Sequence, residues 1–200
     1  MYMIRIGLTG VSGSGKSYVT KIFAKYGISS VNSDAIVHEL YASKNSCTEA
    51  IANLFGEQVL FSDHSVNRKK LAAIVFSSRD KLQLLNKTVH PFVLDKINQI
   101  VQEHELQGAK AFLIEAPQLF ESGLHELCDL VVSVLSEHDL RITRLIARDG
   151  ISKEMAERRI ANQFRDSFFR EHSDFCIENN EGDDLEKQVY NILSIMGLVT

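Results

Sequence analysis

Cysteine is scarce in this 200-residue chain, and its three copies, Cys47, Cys128 and Cys176, are odd in number, far apart and outside any C-x-x-C spacing. That pattern speaks against a disulfide framework and against a cysteine zinc site. The seven histidines are scattered without H-E-x-x-H or another metal-ligand spacing, so ordinary surface and core histidines are expected. No apolar stretch is long enough to span a bilayer, and the first apolar run begins at Met3, leaving no room for a signal peptide. The expected location is the reducing cytoplasm, with no membrane partner. Neither sign of charge dominates: 22 basic and 26 acidic residues give a net charge of −4, no basis for broad nucleic-acid binding. Internal repeats and low-complexity tracts are also missing. With 44% hydrophobic and 24% charged residues, what remains is an ordinary globular chain, long enough for one sizeable core with small insertions.

Against that background Gly10-Val11-Ser12-Gly13-Ser14-Gly15-Lys16-Ser17 stands out as a G-x-x-x-x-G-K-[ST] phosphate loop. The apolar run Met3–Leu8 predicts a buried strand before it, and Tyr18–Tyr26 predicts a helix after it. Glycines let the backbone curl so that successive N–H groups and the helix N-terminus face a polyphosphate. Gly13, Ser14 and Gly15 are therefore candidate nucleotide contacts, with Tyr18 beside them. Lys16 would supply a point charge to the outer phosphates, and the Ser17 hydroxyl could ligate Mg²⁺. The chain is expected to bind a nucleoside triphosphate.

Strand and helix patterns alternate along the rest of the chain. Further strands are predicted at Ile28–Val31, Ala111–Ile114, Leu130–Leu135 and Phe175–Ile177, and a closing helix over Asp183–Met196. This order predicts an α/β fold with a doubly wound, parallel, five-stranded sheet and ligands at the carboxyl ends of the strands. Two helical stretches exceed a minimal alternation, at about 47–107 and 136–172. Both read as insertions on a single domain spanning 1–200.

Two carboxylates fall where such a sheet would place a site. Asp34 follows the second strand and Glu115 ends the third, so either could take a proton or hold Mg²⁺. For Asp34 a helix N-cap is an equal alternative. Arg141, Arg144 and Arg148 share one helical face. Arg141 has Glu137 four residues earlier to hold it. Arg144 and Arg148 have no carboxylate at i−4 or i+4, which suggests an external anion and a mobile lid closing over a phosphoryl group.

These residues resemble one family over nearly the whole chain, from Ile6 to about Met196: the dephospho-CoA kinases. Gly7-Leu8-Thr9-Gly10 entering the loop looks like the family's opening. Asn32-Ser33-Asp34 with His38-Glu39 resembles its Asp-Ala-Asp segment. Phe55-Gly56, Asn67-Arg68 with Leu71, and Val75-Phe76 resemble the start of its CoA-binding insertion, and His90-Pro91 its His-Pro pair. Glu115-Ala116-Pro117-Gln118-Leu119-Phe120-Glu121 is similar to its Asp-x-Pro-Leu-Leu-Phe-Glu stretch. Arg144, Arg148-Asp149 and Gln163 match its lid, and Asp174, Ile177 and Asn179 its segment beside the adenine site. The resemblance implies a P-loop kinase fold with CoA-binding and lid insertions. It implies phosphorylation of the ribose 3′-hydroxyl of dephospho-CoA by ATP with Mg²⁺, giving coenzyme A and ADP in the last step of coenzyme A synthesis.

Residue by residue, the resemblance makes Asp34 the base, with Lys16, Arg144 and Arg148 assisting. It places ATP on Gly13–Tyr18, Arg144, Arg148 and Asn179, the metal on Ser17 and Glu115, and the acceptor on Asp34, His38, Arg68, His90, Pro117, Glu121 and Gln163. The chain departs from the family at Tyr18, where Thr is usual, at Asn32 for an Asp, at Gln118 for a Leu, and at Phe169, where a lid lysine is common. That last change could pass the positive charge to Arg170 or reduce it. The expected state is a monomer. The alternatives are another small-molecule or nucleoside monophosphate kinase, or a nucleotide-binding paralogue without turnover. A GTP switch is disfavoured because Asn86-Lys87 is followed by Thr88-Val89 and not by the guanine-reading x-Asp.

Overall fold

The computed structural model describes residues 2–199, and the chain divides into two compact units. The first comprises Met1–Ser30 and His104–Thr200, the second Val31–Glu103. The strands are β1 (Ile4–Thr9), β2 (Ser29–Asn32), β3 (Ala111–Glu115), β4 (Leu130–Leu135) and β5 (Phe175–Glu178), in one parallel sheet of order β2-β3-β1-β4-β5. β1 lies between β3 and β4, with Ile6 paired to Leu113 on one side and Leu130 on the other. The chain thus leaves β1 at the point where the strand order reverses, the place where open α/β sheets bind ligands.

In the first unit, α1 (Lys16–Lys25) and α9 (Leu185–Ile195) pack together. Their residues Val19, Ile22, Phe23, Val189 and Leu193 form one apolar cluster with Ile6 and Leu8 of β1, Leu113 of β3, Val132 and Val134 of β4 and Ile177 of β5. The period-2 spacing of Ile6 and Leu8, and of Val132 and Val134, is what turns them to a common face. The other helices of this unit are α6 (His138–Asp149), α7 (Lys153–Ala161) and α8 (Asp166–His172). Phe169 of α8 is buried with Val11 and Leu135, so this position fills a core and is not a substitute for a lid cation. Arg170 beside it pairs with Glu178 of β5.

The second unit holds α2 (Ser33–Tyr41), α3 (Ser46–Phe55), α4 (Arg68–Val75) and most of α5 (Arg79–Leu106). It begins at Val31, earlier than the insertion predicted from 47, and ends at Glu103, so that His104–Gln107 belong with the sheet. After the last two residues of β2, Val31 and Asn32, it holds no further strand among the described residues; an isolated bridge joins Leu60 and Val66. Along α5 the buried residues Leu85, Val89, Val93, Ile97 and Val101 recur every fourth position, a single apolar stripe. Pro91 lies inside this helix on its exposed side, where the missing N–H costs a helical bond but no packing.

All three cysteines are free. Burial pushes the Cys47 thiol up to about 11 and the Cys128 thiol up to about 12, so neither is a thiolate at neutral pH.

Candidate functional site

The phosphate loop joins β1 to α1, and its last glycine is the residue before the helix. Gly15 has φ +95°, which a side-chain-bearing residue rarely adopts, and a Cβ there would lie 2.2 Å from the Asn179 amide nitrogen. Lys16 curls back over the loop, with Nζ donating to the Gly10 carbonyl at 2.8 Å and to that of Val11 at 3.4 Å. Ser14 is turned inward: its amide donates to Val11 O at 3.2 Å and its hydroxyl is buried. Of the expected loop contacts, Ser14 therefore shapes the turn more than it faces a ligand. Among the described residues, the amides of Gly13, Gly15 and Ser17 meet no main-chain acceptor. Tyr18 has an exposed side chain, and its amide is taken by Gly15 O.

Glu115, at the carboxyl end of β3, is buried. Its two oxygens accept from Ser17 Oγ at 3.2 Å and Thr20 Oγ1 at 2.9 Å, which offsets the cost of burying a carboxylate. Thr20 was missed in the sequence. Its signal was the spacing, since a residue three after Ser17 lies on the same helical face.

The arginine helix α6 differs from its sequence-based picture at each arginine. Arg141 is buried and pairs with Asp166 at 3.0 Å, not with Glu137. Arg144 donates from Nη1 to Gly13 O at 3.3 Å and Ser136 Oγ at 3.2 Å. Its Nη2 donates to the Asn179 carbonyl at 3.1 Å and to Asn179 Oδ1 at 3.4 Å. Arg148 forms a fork with its neighbour Asp149, at 2.7 and 2.9 Å, and Arg159 joins the same carboxylate. These two guanidinium groups, Arg148 first, hold the Asp149 carboxyl well below the usual range. The partner of Arg148 is thus the carboxylate at i+1, outside the i±4 spacing of a helical face. The backbone of α6 also touches the loop directly: a Cβ on Gly13 would lie 2.7 Å from the Arg141 carbonyl oxygen.

These contacts rank the three arginines. Arg144→Ala is expected to destabilise the protein by about 2–3 kcal/mol, because Gly13 and Asn179 lose a charged donor in a half-buried setting. Arg148→Ala should cost less than about 1 kcal/mol, as for an exposed ion pair. Arg141→Ala, which Glu137 would have made mild, should be at least as damaging as Arg144→Ala, because it empties a buried site and strands Asp166. Melting temperatures of the three variants test the order.

Gln163 and Asn179 also close on the loop. Gln163 Oε1 accepts from Ser12 N at 2.8 Å, and Asn179 Nδ2 donates to Ser14 O at 2.6 Å. The amide of Asn179 is therefore engaged with the loop backbone, and that of Gln163 with Ser12. Pro117 and Glu121 lie on the turn after β3, with Pro117 half-buried and Glu121 exposed.

In the second unit, Asn32 caps α2 by accepting from Ala35 N at 3.0 Å, so Asp34 is not the cap. Asp34 is exposed in the first helical turn. His38 Nδ1 and Arg68 Nη1 are 3.4 Å apart, and His90 Nε2 is buried without a hydrogen-bond partner among the described residues.

The family model for dephospho-CoA kinase matches residues 4–184. The chain belongs to the dephospho-CoA kinase family. It is 36% identical over 190 residues to the dephospho-CoA kinase of Fusobacterium nucleatum, covering 94% of this chain and 96% of that one. It is 34% identical over 189 residues to that of Arabidopsis thaliana, covering 94% and 82%. Among solved structures, a Thermus thermophilus protein aligns over 100% of both chains with TM-score 0.82 and 28% identity. The dephospho-CoA kinase of Campylobacter jejuni aligns over 96% of both with TM-score 0.71 and 25% identity. A shikimate kinase from Acinetobacter baumannii, at TM-score 0.55 and 17% identity, shares the fold. For a dephospho-CoA kinase family member, the loop, Lys16, Ser17 and Glu115 are the parts that the sequence assigned and the first unit assembles in one place.

Proposed function

We propose that this chain transfers the γ-phosphoryl group of ATP to the ribose 3′-hydroxyl of dephospho-CoA, giving coenzyme A and ADP. The observation that carries this reading is the phosphate loop with Glu115 against Ser17, in a chain whose family membership runs through residues 4–184. Another kinase activity or a silent paralogue is not favoured.

Lys16 and the open loop amides bind the β- and γ-phosphates and fix them for in-line attack. Ser17 and Glu115 suit Mg²⁺: both offer oxygen, they are 3.2 Å apart, and this ion takes few protein ligands besides phosphate and water. Bound there, Mg²⁺ would neutralise charge building on the transferred group. Asp34, in the first turn of α2, accepts the proton of the attacking hydroxyl. Arg148 and Arg159 add positive charge beyond the loop, within the 136–172 segment that serves as lid. Residues 47–107, with His38, Arg68 and His90, receive the pantetheine-bearing acceptor, and Pro117 and Glu121 line its approach. A cytoplasmic monomer suits three free thiols, and no helix among the described residues is long and apolar enough to cross a membrane.

Mass spectrometry of the products from ATP, Mg²⁺ and dephospho-CoA tests the reading. The acceptor is expected to gain one phosphoryl group. Folded, magnesium-loaded protein that leaves dephospho-CoA unchanged yet phosphorylates a nucleoside monophosphate would overturn it.

A further inference from the structure

Three side chains from elements far along the chain grip the backbone of the phosphate loop, and each grips a different peptide. Gln163 takes the Ser12 amide, Arg144 the Gly13 carbonyl, and Asn179 the Ser14 carbonyl. A trans peptide is planar, with its C=O and N–H pointing in opposite directions. Fixing a carbonyl therefore fixes the direction of the next amide. The Ser12 amide is drawn toward Gln163, which turns the Val11 carbonyl the other way, where it accepts from Ser14 N and Lys16 Nζ. The Gly13 carbonyl is drawn to Arg144, and the Ser14 amide across the same peptide closes the turn. The Ser14 carbonyl is drawn to Asn179, which leaves the Gly15 amide aimed away from Asn179, with no main-chain acceptor among the described residues.

We propose that Asn179 is a positioning residue for phosphate binding, aiming the Gly15 amide at the bound anion by holding the Ser14 carbonyl behind it. The proposal rests on reading the loop as the ATP site. It replaces the expected placement of Asn179 beside the adenine, because both ends of its side chain are already engaged. Nδ2 goes to Ser14 O at 2.6 Å, and Oδ1 receives Arg144 Nη2 at 3.4 Å. The residue is itself held firmly. It is 9% exposed, its backbone N–H donates to Leu135 O at 2.8 Å, and its carbonyl receives Arg144 at 3.1 Å. Gly15 is shaped to admit it, since a Cβ at that residue would overlap the Asn179 amide nitrogen. Without the donor, the Ser14 carbonyl would be free to rotate toward the ligand and set a negative dipole where a phosphate should sit.

Tripolyphosphate separates loop positioning from base recognition, because it carries the anionic groups of ATP without the nucleoside. The test measures binding of Mg²⁺-tripolyphosphate and Mg²⁺-ATP by calorimetry to wild type and to Asn179→Leu, which keeps the branched outline of the side chain without its donor. Asn179→Ala serves as the second variant should leucine prevent folding. Both ligands are expected to lose affinity by a similar factor, about ten- to a hundredfold, the range for stranding one buried acceptor. In turnover, KM for ATP should rise while KM for dephospho-CoA holds. Loss of ATP binding with unchanged tripolyphosphate binding would assign Asn179 to the base and overturn the proposal, as would wild-type affinity for both ligands. Wild-type protein that bound neither ligand would overturn the nucleotide reading of the loop itself.

Discussion

Asp34→Asn is expected to lower kcat by about 10²–10⁴-fold, the usual range for losing a general base, while ATP affinity stays near wild type. Sequence alone left Asp34 divided between a base and a helix cap. The structure removes the second role, because Asn32 caps α2 through its own side chain. An exposed carboxylate that is not a cap should also be replaceable at little cost to folding, within about 0.5 kcal/mol. The decisive pattern is therefore an unchanged melting temperature and unchanged ATP titration beside a collapsed kcat. Near-normal turnover would mean that the proton leaves by another route.

Lys16→Ala should damage both steps. Its ammonium is drawn over the loop by the Gly10 and Val11 carbonyls, which direct the charge to the space that the loop encloses. A charge that meets the bound triphosphate and the moving phosphoryl group contributes to ground and transition states alike. ATP affinity is expected to fall about ten- to a hundredfold. kcat should fall by about 10²–10³-fold, the loss typical of one preorganised electrostatic donor. Steady-state kinetics with an independent ATP titration distinguish this from Asp34→Asn, in which only kcat moves. A Lys16→Ala protein with full kcat at saturating ATP would confine the lysine to binding.

The parts legible in the sequence were those set by local pattern. The loop motif, the apolar strand runs and the helical period of the last segment each depend on neighbours within a turn or two, and the strand ends shift by only about one residue. Partners across the fold were not legible. Arg141 finds Asp166 and Arg144 finds Asn179, pairings that spacing on one helix cannot reveal. Arg148 misled for the opposite reason, because its partner was the adjacent residue and not one a turn away. Phe169 looked like a missing lid charge only while its burial with Val11 and Leu135 was unknown. The site divides in the same way. Lys16, Ser17 and Glu115 follow from a motif and a strand end, whereas Thr20 and the clasp of Arg144, Gln163 and Asn179 required the sheet to be assembled first.

The strand order also governs how the chain emerges during synthesis. β1 is made first, yet its partners are β3, beginning at Ala111, and β4, beginning at Leu130. At ordinary elongation rates of about 5–20 residues per second, β1 waits roughly 5–20 seconds with both edges unpaired and with Ile6 and Leu8 uncovered. The segment Val31–Glu103 is complete before that wait ends, because it is continuous in the chain. A nascent chain therefore carries the central strand of its sheet unpaired ahead of a finished helical unit, and a chaperone that shields β1 would act during that wait.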